Sequence, residues 1–425
     1  MKPPCKSLLV LLFSLSLTTQ AYANTDELDY ASQVLSEGTH QMVRGISDQE
    51  RTILLATAAL NSDKPEQALN HLALAKSRDP LVALLEAEAH RQQAVEAIKQ
   101  AGEIFSDDKQ QILLASADLG RGLGEANARL HSFMDKLNNV SGDPVDILLP
   151  GTAVSNVFMF DKALNRMYLY ESDGNGGLRK IADEYVVTGS VKGDKQVQGD
   201  GKTPNGIYRF INKLQGKELE ARYGPVAFPI DYPNELDALH QKNGYGIWLH
   251  GYPVDVLRRP PQDTRGCFSI SNSRLVEVAD HVTLKRSWVI VGENLEFDRH
   301  EKKQALLESV RRDIEAWRSD WVSLNIDAYL SHYHRNFRSG QRDLQAWRSY
   351  KQRVNANKSF VEVTFSNLTL MHDPNRWDEG EILVAEFDQH YSSSNYTDLG
   401  RKRLYLARES ESQPWKILLE ESLSQ

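Results

Sequence analysis

The chain has 425 residues, 40 % apolar and 25 % charged, with 50 Lys and Arg against 58 Asp and Glu for a formal charge of −8. About 150 residues per domain suggests two or three domains, and the composition excludes disorder. The acidic balance excludes a general nucleic-acid binder, which needs a basic footprint, and past residue 20 no apolar run is long enough to span a membrane.

Residues 1–23 read as a secretory signal peptide. Lys2 and Lys6 give its positive start, residues 8–17 its apolar core, and Ala21-Tyr22-Ala23 its cleavage site. Cys5 leaves with the signal, so Cys267 is the single thiol of an exported chain. A lone thiol in an oxidising compartment is either buried and inert or kept for its chemistry.

Residues 24–145 read as a helical region. Ser47-Asp48-Gln49-Glu50 is a capping box ahead of Ile53, Leu54, Leu55 and Ala58. Pro65 suits a first helical position, Ala68, Leu69, Leu72 and Ala75 form a stripe, and Asp79-Pro80 breaks it before a third helix near Leu81. This stretch resembles one tetratricopeptide unit, but no second copy follows at a period of about 34 residues. The expectation is a helical hairpin packed on its neighbours or on a second subunit of a homodimer.

Gly142-Asp143-Pro144 marks a boundary, and residues 146–296 switch to short strands. Strands are expected at 154–160, 163–170, 181–187, 206–211, 246–250 and 288–291, with a turn at 173–177 and a short helix at 273–281. Such spacing predicts a mainly-β sandwich or barrel-like domain. Residues 297–425 change again. Leu306, Leu307, Val310, Ile314, Trp317 and Trp321 follow helical spacing, and Ile326, Tyr329, Leu330, Tyr333 and Phe337 predict a second helix. Strands follow at 360–365, 382–387, 403–407 and 415–419, with Asp373-Pro374-Asn375 as a turn. Helices before an antiparallel sheet is an α+β order, and the pattern resembles the nuclear-transport-factor-like cone.

The chemistry gathers around Cys267. His250 closes the apolar strand Ile247-Trp248-Leu249 and precedes Gly251; Cys267 follows in Thr264-Arg265-Gly266-Cys267. A thiol becomes a nucleophile once an imidazole takes its proton and stabilises the ion pair. A glycine before the cysteine permits a sharp turn, so the Gly266 and Cys267 amides can face a developing oxyanion. Papain-like peptidases place Cys before His, and this chain reverses that order. No HExxH or CxxC pattern suggests a metal. His332 and His334 flank Tyr333 and, on a helix, would face different ways.

His250-Gly251, a gap and Thr264-Arg265-Gly266-Cys267 together resemble the signature of the L,D-transpeptidase catalytic-domain family. Thr203-Pro204-Asn205-Gly206 is similar to the family's turn into a strand, and Tyr223-Gly224-Pro225 through Asp231-Tyr232-Pro233-Asn234 to its substrate-side loop. The resemblance implies attack on the diaminopimelate–D-alanine bond of peptidoglycan tetrapeptide stems in the periplasm, without a cofactor. Cys267 would be the nucleophile, His250 the base and the Gly251 carbonyl its orienter; the acyl-enzyme would pass to an amine or to water. Many members carry an arginine two positions after the cysteine, where this chain has Ser269. Carboxylate recognition then falls to Arg265, Arg258 or Arg259. Thr264, Tyr232 and Trp248 are further substrate-side candidates. The three-part architecture resembles cell-shape-determining L,D-carboxypeptidases. The same residues would serve an amidase releasing wall-bound lipoprotein, and an inert relative would be a wall-binding protein.

Overall fold

The computed structural model describes residues 25–423 apart from 39, 76–78, 101–122, 140–142, 174–176, 254–255, 257–258 and 299–300. The expected signal peptide lies outside the described residues. Helices α1 (Thr25–Glu37), α2 (Asp48–Asn61), α3 (Pro65–Leu72), α4 (Pro80–Gln100) and α5 (Gly124–Asn139) form the N-terminal region. Ile53 and Leu60 of α2 meet Ala68 and Leu72 of α3 and Leu81 and Leu85 of α4; Leu54 and Leu55 pack instead with Leu130 and Phe133 of α5.

Ser47 caps α2, its hydroxyl accepting the Glu50 N–H at 3.1 Å. Glu50 does not complete the expected capping box. Its carboxylate is 1 % exposed and lies between the guanidiniums of Arg129 and Arg166, the latter at 2.7 Å. Two charge-assisted partners outweigh one backbone amide. Arg166 also holds Asp183 at 2.6 Å, and Lys136 of α5 binds the same aspartate. These ion pairs tie the helices to the neighbouring sheet.

The middle unit contains β1 (Asp143–Pro144), β2 (Ile147–Leu149), β3 (Asn156–Asp161), β4 (Arg166–Ser172), β5 (Leu178–Tyr185), β6 (Thr188–Gly189), β7 (Gly206–Arg209), β8 (Leu214–Gln215), β9 (Val226–Pro229), β10 (Trp248–His250), β11 (Gln262–Thr264), β12 (Phe268–Ser269) and β13 (Trp288–Gly292). Two short helices, α6 (Glu235–Leu239) and α7 (Asn272–Ala279), accompany them. Five strands form one sheet in the order β5-β4-β3-β13-β7, and four form a second, β12-β10-β9-β8. Every residue of β3 and β13 is buried, because both faces of the larger sheet are covered. Phe158, Phe160 and Val289 pack on Phe228, Leu249 and Phe268 of the smaller sheet. The alternate residues Val157, Met159 and Ile290 face Met371, Val384 and Tyr405 on the opposite side.

That opposite side is the C-terminal unit, with β14 (Phe297–Asp298), α8 (Glu301–Val322), α9 (Ile326–Ser331), β15 (Tyr333–Ser339), β16 (Arg342–Asp343), α10 (Leu344–Asn355), β17 (Val361–Trp377), β18 (Gly380–Ser393), β19 (Tyr396–Arg408) and β20 (Lys416–Leu423). Its sheet runs β16-β15-β20-β19-β18-β17-β2, so β2 joins it as an edge strand. The other face of this sheet is covered by Val310, Ile314, Trp317 and Trp321 of α8. The molecule is thus layered as helices, seven-stranded sheet, five-stranded sheet and four-stranded sheet.

Two expectations fail here. The helix expected through Phe337 ends at Ser331, and Tyr333–Ser339 is a strand. His332 therefore caps a helix and donates through Nε2 to the Asp320 carboxylate at 2.7 Å, while His334 lies on the strand. Asp373-Pro374-Asn375 does not turn the chain. It lies within β17, where the register against β18 slips between His372 and Arg376.

Candidate active site

β10 and β12 run parallel, with Leu249 beside Phe268 and His250 beside Ser269. Alternation sends Leu249 and Phe268 into the core. It leaves Trp248, His250, Ser269 and, one residue before β12, Cys267 on the other side. The turn into β12 requires Gly266. Its φ is +122°, and a Cβ there would lie 2.6 Å from the Lys202 carbonyl oxygen. Gly266→Ala is therefore expected to displace the Cys267 loop and cut turnover by an order of magnitude or more, read by an activity assay at matched folded fraction.

Cys267 is half-buried, and its Sγ donates to the Gly246 carbonyl at 3.3 Å. Burial pushes the thiol up to about 11, against the pull of the Trp248 N–H and of Arg259, Arg265 and Lys195. His250 is buried, and its Nδ1 lies 2.6 Å from the Gly251 carbonyl. A carbonyl only accepts, so Nδ1 carries the proton and Nε2 keeps its lone pair. Burial lowers His250 to about 4; the Gly251 contact opposes this, and Arg259 and Arg222 add to it. Burial thus disfavours the charged form of each group taken singly. Above pH about 4 the imidazole is free to take a proton, so the acidic limb of the rate is expected near 4, not at the ordinary histidine value of 6.5. A pH–rate profile of the purified protein reads it.

Tyr223 walls the site. Its ring lies 4.9 Å from that of Trp248 and 5.0 Å from that of His250, and its carbonyl accepts the Gly251 N–H at 2.9 Å. The sequence places Tyr223 only within a loop motif; nothing in its spacing reveals the contact with His250.

A family model for the L,D-transpeptidase catalytic domain matches residues 155–291, and a model for the Cds6 C-terminal NTF2-like domain matches residues 309–421. The solved structure of the helical cell shape determining protein Pgp2 from Campylobacter jejuni is 30 % identical, with a TM-score of 0.56, over 66 % of this chain and 96 % of that one. The chain belongs to the L,D-transpeptidase family. Bd1075 of Bdellovibrio bacteriovorus is 25 % identical, with a TM-score of 0.57, over 66 % of this chain and 99 % of that one. Both neighbours share the order of a catalytic domain followed by an NTF2-like domain. No curated protein sequence matches. The multidomain fold expected from sequence, helical then sheet-rich then NTF2-like, is the fold observed.

Within this L,D-transpeptidase domain the structure brings His250, Gly251, Gly266, Cys267 and Trp248 together. Other expected residues take different roles. Thr264 is buried inside the turn, where its Oγ1 accepts the Gly266 N–H at 3.1 Å and donates to the Cys267 carbonyl at 2.8 Å. It braces the loop instead of facing substrate, and it occupies the Gly266 amide assigned to the oxyanion. Tyr232 is a core residue. Its ring packs near Tyr208, and its hydroxyl reaches the carbonyls of Lys195 at 3.4 Å and Asn243 at 3.3 Å. Arg259 is buried and committed to Asp263 at 3.0 Å, while Arg265 is exposed. Arg258 lies outside the described residues. A cleft of about 810 Å³ opens elsewhere, between the middle and C-terminal units, lined by Arg209, Asp231, Glu386, Arg401 and Arg403 among others. Cys267 and His250 are not on its wall. Among the described residues no cluster of three or more His, Cys, Asp or Glu is placed to hold a metal.

Proposed function

We propose that this peptidoglycan-acting enzyme is a periplasmic L,D-carboxypeptidase that trims tetrapeptide stems to tripeptides. The observation that carries the reading is His250, its Nδ1 turned to the Gly251 carbonyl, on a strand paired in parallel with the one that Cys267 leads into. The thiol proton passes to His250 Nε2 as sulphur bonds to the diaminopimelate carbonyl carbon. Breaking the carbon–nitrogen bond then releases D-alanine, whose amine takes that proton. Water, deprotonated by the same nitrogen, hydrolyses the thioester and frees the thiol. Arg265, exposed beside the nucleophile, is the remaining described candidate for the substrate carboxylate.

Water is preferred as the acceptor because the neighbour that shares the catalytic and NTF2-like pairing is named a helical cell shape determining protein. Export is supported by the signal-peptide reading. No helix among the described residues is long and apolar enough to cross a membrane. The test is mass spectrometry of disaccharide-tetrapeptide incubated with the mature protein. Tripeptide with free D-alanine supports trimming. Cross-linked dimers, or D-alanine exchange, would make the acceptor an amine and the enzyme a transpeptidase. No Cys267-dependent product would leave the lipoprotein amidase or the wall-binding protein.

A further inference from the structure

Ser269 stands where the family resemblance expects arginine. It is fully buried, and its hydroxyl turns back toward the histidine. Its Oγ donates to the Gly251 carbonyl at 2.9 Å, the same oxygen that accepts the His250 Nδ1–H at 2.6 Å. A carbonyl oxygen has two lone pairs, so it serves both donors at once. The peptide plane bearing that oxygen is also held from its other edge. The Tyr252 N–H donates to Asn272 Oδ1 at 2.8 Å, and Asn272 Nδ2 donates to the Tyr252 carbonyl at 3.0 Å. Little slack remains around the plane, since a Cβ on Gly251 would lie 2.0 Å from Asn272 Oδ1.

We propose that Ser269 and Asn272 are positioning residues that clamp the Gly251–Tyr252 peptide and so hold His250 in its Nδ1-protonated tautomer, with Nε2 free as the base. In triads built on a carboxylate, a charged oxygen pair orients the imidazole and stabilises its charged form. A lone backbone carbonyl has neither the charge nor the second oxygen. Its direction must be fixed by its neighbours: Ser269 reaches the oxygen itself, and Asn272 the N–H of the same peptide. The inference rests on His250 being the base of the proposed reaction, but its first readout needs no turnover.

That readout is the nitrogen-15 NMR pattern of the His250 ring in the full mature protein labelled at histidine. The wild type is expected to show a protonated Nδ1 and a bare Nε2. Ser269→Ala is expected to show loss of that single tautomer. Its kcat for D-alanine release is expected to fall roughly 10- to 100-fold, with KM within about threefold. Ser269→Thr keeps the hydroxyl and is expected to restore both signals, and Asn272→Ala to shift them in the direction of Ser269→Ala. Should Ser269→Ala fail to fold, Ser269→Cys, a far weaker donor, is read by the same criteria. An unchanged His250 pattern in the folded variant overturns the clamp, whatever the rate does. A tautomer shift in a protein without Cys267-dependent turnover would uphold the clamp and overturn the carboxypeptidase reading instead.

Discussion

Replacing Cys267 by alanine is expected to lower D-alanine release from disaccharide-tetrapeptide by about 10⁴-fold or more while leaving the melting temperature nearly unchanged. The size of the effect follows from the proposed covalent mechanism, in which no thioester forms without the sulphur and only positioning of the stem remains. The stability forecast follows from location. Cys267 sits half-buried on the side of the β10–β12 pair away from the core, so losing one sulphur opens no large cavity. His250→Ala is expected to be nearly as severe, because a thiol pushed up to about 11 ionises little near neutral pH without a base. The two losses should not add, since each group acts through the other. Raising the pH should rescue His250→Ala progressively, as hydroxide replaces the base, and should not rescue Cys267→Ala. A Cys267→Ala protein that still releases D-alanine would remove the cysteine mechanism.

The local layout of the candidate site was legible because it is written in short stretches. His250-Gly251 and Thr264-Arg265-Gly266-Cys267 each span a few residues, and Gly266 announces its positive φ by being glycine. What sequence misplaced depends on contacts between distant segments. Tyr232 sits in a loop-like stretch with Pro233, yet its ring is buried beside Tyr208. Ser269 looked like a departure because its partner, the Gly251 carbonyl, is 18 positions away. Glu50 looked like a capping residue because its true partners, Arg129 and Arg166, are 79 and 116 positions off.

The fold follows the same rule. β3 and β13 were visible as apolar runs, although their burial on both faces needs the C-terminal sheet. The helix is found over Tyr329 and Leu330, but its misread extension through Tyr333 and Phe337 has a specific cause. A spacing of four fits one face of a helix, but it also fits one face of a strand, where every second residue points the same way. Tyr333 and Phe337 do share the apolar interior, as the spacing suggested, but from a strand. Likewise Asp373-Pro374-Asn375 reads as a turn, whereas β17 absorbs it as a register shift and continues, as it does at a second shift around Asn367, whose φ is +54°.

Arg166→Met is expected to destabilise the protein by about 3–5 kcal/mol, the range for breaking a buried ion pair from one side. Arg166 is 0 % exposed and donates to Glu50 at 2.7 Å, to the Asp183 carboxylate at 2.6 Å and to the Asp183 carbonyl at 2.7 Å. Methionine fills much of the volume but leaves those oxygens without their shared donor. The contrast is Arg179, which pairs with Glu171 at the same 2.6 Å but is 68 % exposed. Its replacement by methionine should cost no more than about 1 kcal/mol, so burial and not distance separates the two outcomes. The acid response has a defined sign. Burial alone would raise the Asp183 carboxyl, but Lys136, Arg166 and Lys180 overcome it and hold it well below the usual carboxylate range. A depressed carboxylate contributes stability above its unfolded value, about 3.9, that is lost as pH falls through its folded one. Removing Arg166 moves the folded value upward, so acid unfolding should begin at a higher pH than in the wild type. The damage should also reach the site. Glu125 of α5 accepts the Arg259 N–H at 2.7 Å on the segment between His250 and Cys267, so helices that loosen from the sheet release that segment too. Thermal melting, acid titration by circular dichroism and D-alanine release on the same preparation check all three. A variant that melts as the wild type does would mean that Arg129, Lys136 and Lys180 hold Glu50 and Asp183 without it.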